Sequence, residues 1–149
     1  MIIAITRDDG GVSIMTTVAE TPKDIQKEVD KWQEVNPAQA VSWREICVAD
    51  IPSSRAYREA WHDSNPEEFI GVNMDKALAI AHSRRRIKRD ADFKPHDDIV
   101  AMQIPGSDIA AAHAARDLIR DSDAGTQIEL DECLTPEELE SKEKEHGIL

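Results

Sequence analysis

Five cations within six positions, Arg84, Arg85, Arg86, Lys88 and Arg89, form the only concentrated positive charge in this 149-residue sequence. Clustered guanidinium groups recognise carboxylates and phosphates through forked pairs of N–H donors. Three readings fit the run. The default is a solvated helix face whose charges pair with nearby acids such as Asp90 and Asp92. A subunit or partner contact is the second, since Arg is favoured at protein interfaces. Binding to a phosphate backbone is the weakest: no aromatic residues interleave the cations to stack bases, and the chain carries a formal net charge of −12. The five residues are therefore the candidate partner-binding set, with another protein rather than nucleic acid as the expected partner.

The other reactive side chains are dispersed. His62, His82, His96, His113 and His146 fall in separate segments, and only His96-Asp97-Asp98 combines metal-ligand types. Adjacent residues rarely converge on one ion, and no Cys/His spacing supports a zinc site. Cys47 and Cys133 make neither a disulfide framework nor a ligand pair, and free thiols in a reducing compartment are expected. There is no nucleophile elbow and no glycine-rich phosphate loop. No catalytic residues, metal or cofactor are expected. Trp32, Trp43 and Trp61 each sit on an apolar periodicity, which favours core packing over ligand binding.

The elements that position these residues follow from local pattern. Residues 73–93 hold neither Gly nor Pro and read as the main helix, with Asn73 as N-cap and Ala77, Ile80, Arg84, Ile87 and Ala91 as the stripe facing a core. Lys94-Pro95 should interrupt it. Upstream, residues 2–6 and 12–18 are β-branched and apolar about the turn cluster Asp8-Asp9-Gly10-Gly11, a hairpin signal. Thr21-Pro22-Lys23-Asp24 opens a helix that ends at Asn36-Pro37. Its face of Ile25, Val29 and Trp32 should cover the Val12, Ile14, Thr16 and Val18 side of the hairpin. Residues 41–48 read as a third strand with a bulge at Glu45-Ile46. Residues 55–61 read as a two-turn helix anchored by Tyr57 and Trp61 and capped by Ser53 or Ser54, and a loop follows at residues 63–66. Residues 68–72 could add a fourth strand. After a turn at Pro105-Gly106-Ser107, residues 108–121 form a second long helix with a stripe of Ile109, Ala112, Ala115 and Ile119, ended by residues 122–125. It should return antiparallel to the first as a helical hairpin. Finally, Thr135-Pro136-Glu137-Glu138 is a capping box with Leu134 and Leu139 as its staple.

The fold expected is α+β. Residues 1–72 make a small antiparallel sheet with a covering helix, residues 73–121 a helical hairpin, and residues 122–149 an acidic segment with one short helix. That last segment offers little to bury, and its end should fray or fold on a partner. Charge is segregated: residues 94–149 hold 14 Asp/Glu against 5 Lys/Arg, whereas residues 74–93 hold 3 against 6. With only 4% aromatic residues the core must be modest. No stretch approaches the roughly 20 apolar residues of a membrane span, and the opening MIIAIT lacks the basic lead of a signal peptide, so a protein that is not secreted is expected.

One further pattern lies in the order of phrases from IPSSRAYREAW through EFIGVNMDKALAIAHSRRRIKR and AARDLIRD to TPEELES. This order resembles uncharacterised small proteins encoded beside tail-fibre and tail-tip genes of tailed bacteriophages and prophages. The match rests on Pro52, Ser53, Arg55, Arg58, Ala60 and Trp61, on Met74, Lys76, Ala77, Ile80, His82, Arg86 and Arg89, on Arg116, Asp117, Leu118, Arg120 and Asp121, and on Thr135 to Leu139. It covers a little over half of the chain. Such proteins tend to continue in helix where this chain has Pro95 and Pro105. The resemblance implies a non-enzymatic, virion-associated tail protein acting through protein–protein contacts. It would be found in the virion or, during assembly, in the host cytoplasm. It supplies no active site to transfer. An assembly chaperone, or a free acidic inhibitor of a host nuclease or defence complex, are the alternatives. A homo-oligomer held by the Ala-rich and basic helices and weakened by salt is expected, a trimer by the tail-fibre resemblance, because acids of one copy cannot easily neutralise arginines spread round a helix.

Overall fold

The computed structural model describes residues 1–63, 69–103 and 108–149. The turn expected at Pro105-Gly106-Ser107 and most of the loop at residues 63–66 lie outside those residues. The fold is α+β, and the chain divides into two compact units, Met1–Asn73 and Met74–Leu149. No helix is long and apolar enough to cross a membrane among the described residues.

In the first unit β1 (Ile2–Arg7) lies between β2 (Val12–Thr16) and β3 (Ala40–Ile46) in an antiparallel sheet of order β2-β1-β3. The β1–β2 hairpin turns as its sequence demands. Gly10 donates to the Arg7 carbonyl at 3.0 Å and takes φ +74°, the left-handed geometry that closes a three-residue loop. Asp9 Oδ1 accepts from the Gly11 N–H at 2.8 Å. β2 stops at Thr16, and Val18, expected within the strand, is exposed.

Both faces of this sheet are covered, which corrects the expected arrangement. α1 (Pro22–Val35) packs Ile25, Val29 and Trp32 on the face of Ile3, Ile5, Met15 and Trp43. The opposite face, carrying Ala4, Val12, Ile14 and Ile46, is covered by Trp61 and Ile70. Two apolar groups on each side of a short sheet are enough to bury both, so the alternation of β2 alone could not say which side the helix takes. α1 starts where expected: the Thr21 hydroxyl accepts from the Asp24 N–H at 3.2 Å, with Pro22 in the first turn.

β3 keeps its alternation at Glu45-Ile46, and the bulge expected there is absent. Arg44 shares the apolar face with Ile46 because it forms a forked pair with Asp63, Nε to Oδ2 at 2.8 Å and Nη2 to Oδ1 at 2.9 Å. The slip occurs at the other end, where Thr6 faces Ser42 and Arg7 faces Ala40, leaving Val41 as the extra residue. Residues 55–61 form a single 3₁₀ turn, Arg58–Ala60, rather than two turns of α-helix. Ser54 Oγ accepts from the Ala56 N–H at 3.1 Å, and Tyr57 and Trp61 are both buried. Trp61 then opens β4 (Trp61–His62), which pairs with β5 (Gly71–Val72). The expected fourth strand therefore belongs to a separate two-stranded ribbon.

The second unit is three helices, α2 (Met74–Met102), α3 (Ile109–Asp131) and α4 (Pro136–Glu145). α2 and α3 run antiparallel, as His82 pairs with Asp131, Arg85 with Asp123 and Arg116 with Asp97. Pro95 does not interrupt α2. An internal proline deprives the helix of one hydrogen bond, a cost of about 3 kcal/mol that tertiary contacts must offset. Arg116 of α3 contributes part of the offset on both sides of the proline: its guanidinium lies over Phe93 at 5.9 Å and pairs with Asp97 at 2.9 Å. α3 likewise continues through residues 122–125, with Thr126 Oγ1 donating to the Ser122 carbonyl at 3.0 Å.

The acidic end does not fray. The Thr135/Glu138 capping box starts α4 as expected, Glu138 Oε2 accepting from the N–H groups of Leu134 and Thr135. The staple does not form, because Leu134 is 82% exposed while Leu139 is fully buried. At the other end the Ile148 N–H donates to the Glu143 carbonyl at 2.8 Å and the Gly147 N–H to that of Lys144 at 3.1 Å, with Gly147 at φ +62°. These two bonds make a Schellman motif.

Candidate protein-contact surfaces

The stripe that α2 buries is Ala77, Ala81 and Arg85, at four-residue spacing, instead of the expected Ile80, Arg84, Ile87 and Ala91. Ile87 is 68% exposed and Ala91 is exposed. This rotation decides where the basic run points. Arg85 is turned inward, Nη1 donating to the Asp123 carbonyl at 3.1 Å and Nη2 to Gln127 Oε1 at 3.0 Å, with an ion pair to the Asp123 carboxylate. Arg84 Nη1 reaches Glu143 Oε2 of α4 at 3.1 Å, and Glu143 is fully buried. Arg89 lies 3.0 Å from Asp90 and 3.6 Å from Asp123. Lys88 pairs with Asp92 one turn on, at 2.6 Å. Arg86 is exposed, with no ion pair among the described residues. Acids of the same copy thus reach arginines expected to lie beyond them, which removes the electrostatic premise for self-association.

Between α2, α3 and the chain end lies an open groove of about 250 Å³, with Leu118, Ile119 and Ile148 along it and Lys88, Arg89 and His146 at its sides. The stripe expected on α3 is kept in this unit, since Ala112 is buried and Ile109, Ala115 and Ile119 are half-buried. Leu118, one residue out of phase, is 71% exposed.

α4 is tied to α3 by charge. Lys142 Nζ donates to Glu129 Oε2 at 2.9 Å and to Glu145 Oε2 at 3.0 Å, and His146 Nε2 lies 3.2 Å from the same Glu129 oxygen. The Lys142 bond, and after it the His146 contact, hold the Glu129 carboxyl below its ordinary range, while Glu129 and Glu145 hold Lys142 well above its own.

A second cleft, about 460 Å³, runs along β2 in the first unit. Met1 and Thr17 exchange backbone bonds, as do Arg7 and Gly11 at the turn in one direction. With the register Ile3–Met15 and Ile5–Ser13, alternation makes residues 11, 13, 15 and 17 the ones that bond β1. The N–H and C=O groups of Val12, Ile14 and Thr16 therefore point outward from an edge strand, into the cleft that all three line. Trp32 and Asn36 flank it from the α1 side, and Ile51, Arg55, Arg58 and Trp61 from the other. Arg7, also in the lining, pairs with Asp9 at 3.1 Å. Arg55 and Arg58 are exposed, joined in one turn by the Arg58 N–H to Arg55 carbonyl bond, and without ion-pair partners among the described residues. No local pattern signals this cleft: Arg55 and Arg58 lie 48 and 51 positions from Arg7, and only the fold brings them together.

The histidines remain apart. His82 Nε2 meets Asp131 Oδ1 at 2.8 Å, His146 meets Glu129 and Thr126, and Asp97 beside His96 is taken by Arg116. Among the described residues no three His, Cys, Asp or Glu side chains are placed to hold a metal ion. Cys47 is exposed and Cys133 buried, both as free thiols. Compared with known proteins, the chain matches no family model, no curated protein and no solved structure.

Proposed function

We propose that this protein is a non-enzymatic component of a bacteriophage tail, at the tip or fibre, that acts by holding other proteins. The observation that carries the protein-contact part is the groove on the helical unit, which Leu118, Ile119 and Ile148 line together with Lys88 and Arg89. Apolar strips with a polar rim are the anatomy of protein interfaces. The tail assignment is supported by the order of phrases from Pro52 to Leu139. The groups kept for a partner on the basic helix are Arg86 and the neighbouring exposed Ile87; Arg84, Lys88 and Arg89 reach a partner only as already paired charges, and Arg85, buried against α3, is withdrawn from the set.

A homo-oligomer, trimeric by the same resemblance, belongs to this reading. Its contact is assigned to Ile87 and Leu118 rather than to unpaired arginines, so it should withstand salt instead of weakening with it. Sedimentation at low and high ionic strength tests this, and a monomer under both conditions removes the oligomer. The test of function is mass spectrometry of purified phage particles. Recovery at a fixed copy number per tail is expected. Presence in the infected cell but absence from particles would replace the structural role with that of an assembly chaperone or a free inhibitor.

A further inference from the structure

We propose that the outer edge of β2 is a docking groove for an extended acidic segment of a partner protein, which adds to the sheet as a fourth strand. The inference rests on the protein-contact reading but not on its assignment to a phage.

Three observations meet in the cleft. First, Val12, Ile14 and Thr16 turn N–H and C=O groups outward, and none of them finds a backbone partner within the chain among the described residues. Second, β2 lacks the usual defences of an edge: its sequence Val-Ser-Ile-Met-Thr contains no charge and no proline. Third, one flank is basic, with Arg55 and Arg58 beside the single lining acid Glu59 while Arg7 is held by Asp9, in a protein whose net charge is −12.

Strand addition takes its affinity from main-chain bonds and its specificity from alternate side chains. The two flanks differ. Trp61 and Ile51 pack on the Val12/Ile14 face, beside Arg55 and Arg58, while Trp32 packs on the Ile3/Ile5 face. Successive residues of an added strand therefore meet arginine and tryptophan by turns. The sequence that fits is an acid at positions i and i+2, towards Arg55 and Arg58, with an apolar residue between them, towards Trp32. A second copy is a poor occupant. Edge-to-edge pairing of two β2 strands would set Arg7, Arg55 and Arg58 of one copy against their equivalents, and β2 itself supplies no acid.

The probe is an acetylated, amidated Glu-Val-Glu-Val-Glu-Val peptide, compared with its Lys-Val counterpart, titrated calorimetrically into the full chain. Saturable binding of the acidic peptide is expected, at least tenfold tighter than the lysine peptide and weaker as salt rises. Arg55→Ala with Arg58→Ala, both exposed positions, should weaken it at least tenfold. Thr16→Pro removes one outward N–H without touching a bond to β1 and should do the same. Hydrogen exchange should slow at the Val12, Ile14 and Thr16 amides on binding. Equal affinity for both peptides, unchanged binding by the double Arg variant, or no protection at those three amides would each overturn the proposal. Protection that grows with protein concentration in the absence of peptide would give the edge to a second copy and equally overturn it. Recovery of the protein from phage particles alongside any of these failures would leave the functional reading standing and remove only the strand-addition groove.

Discussion

Replacing Arg84 by Met removes the cation that lies 3.1 Å from Glu143 Oε2 while leaving that carboxyl fully buried. Losing one partner of a buried pair typically costs about 3–5 kcal/mol. The Arg84 side chain is 30% exposed, so water can reach part of the vacated space, which lowers that figure. Arg84→Met should therefore cost about 2–3 kcal/mol. Urea unfolding followed by circular dichroism at 222 nm, for wild type and variant, measures the difference. Arg84→Met combined with Glu143→Leu should return to within about 1 kcal/mol of wild type, since well-packed apolar groups often replace a buried pair without loss. A defect below about 1 kcal/mol, or a double variant no more stable than Arg84→Met alone, would refute the reasoning.

Gly147→Ala should destabilise the docking of α4 by about 1 kcal/mol, because Gly147 holds φ +62° in the Schellman motif, and a shift in the urea midpoint would register it. Acidification should weaken the α3–α4 contact. Glu129 is held below its ordinary range by Lys142 and His146, so its contribution is present above the ordinary carboxyl range and is lost as pH falls through the lowered value; amide exchange of α4 between pH 6 and pH 3 would follow it. A thiol reagent such as iodoacetamide should modify Cys47 well before Cys133, which is buried and whose thiol burial pushes upward; peptide mapping after limited labelling distinguishes them.

What could be read from the sequence was what neighbouring residues decide. The Asp8–Gly11 turn, the Thr21-Pro22 start of α1 and the Thr135/Glu138 capping box involve partners within four positions, and all three form as expected. What failed depends on partners far along the chain. As a charge Arg85 belongs by default on the surface, yet Asp123 and Gln127, 38 and 42 residues away, satisfy it inside the helical unit. Pro95 looked like a helix end because the support from Arg116 is not a local signal. α1 lies on the side opposite the one that the alternation of β2 points to, because Ile3 and Ile5 of β1 make that face apolar too, and the β2 face is covered by Trp61, from a segment with a helical pattern. The tail looked too polar to dock because the burial of Glu143 requires Arg84. The candidate site divides the same way: the basic run was visible as a cluster, but its pairings and the arginine-lined edge of β2 exist only in the fold.

Trp32, Trp43 and Trp61, together with Tyr57, are the protein's full complement of tryptophan and tyrosine, and all four belong to Met1–Asn73. The helical unit is therefore silent in indole emission and nearly invisible at 280 nm, while α2, α3 and α4, which dominate the far-ultraviolet signal, lie within it. Each unit thus carries its own natural reporter. Coincident midpoints in the two signals would mean that the units unfold as one, and separate midpoints would give the stability of each without a single label being introduced. A chromatogram of a proteolytic digest read only at 280 nm would miss a surviving helical fragment altogether.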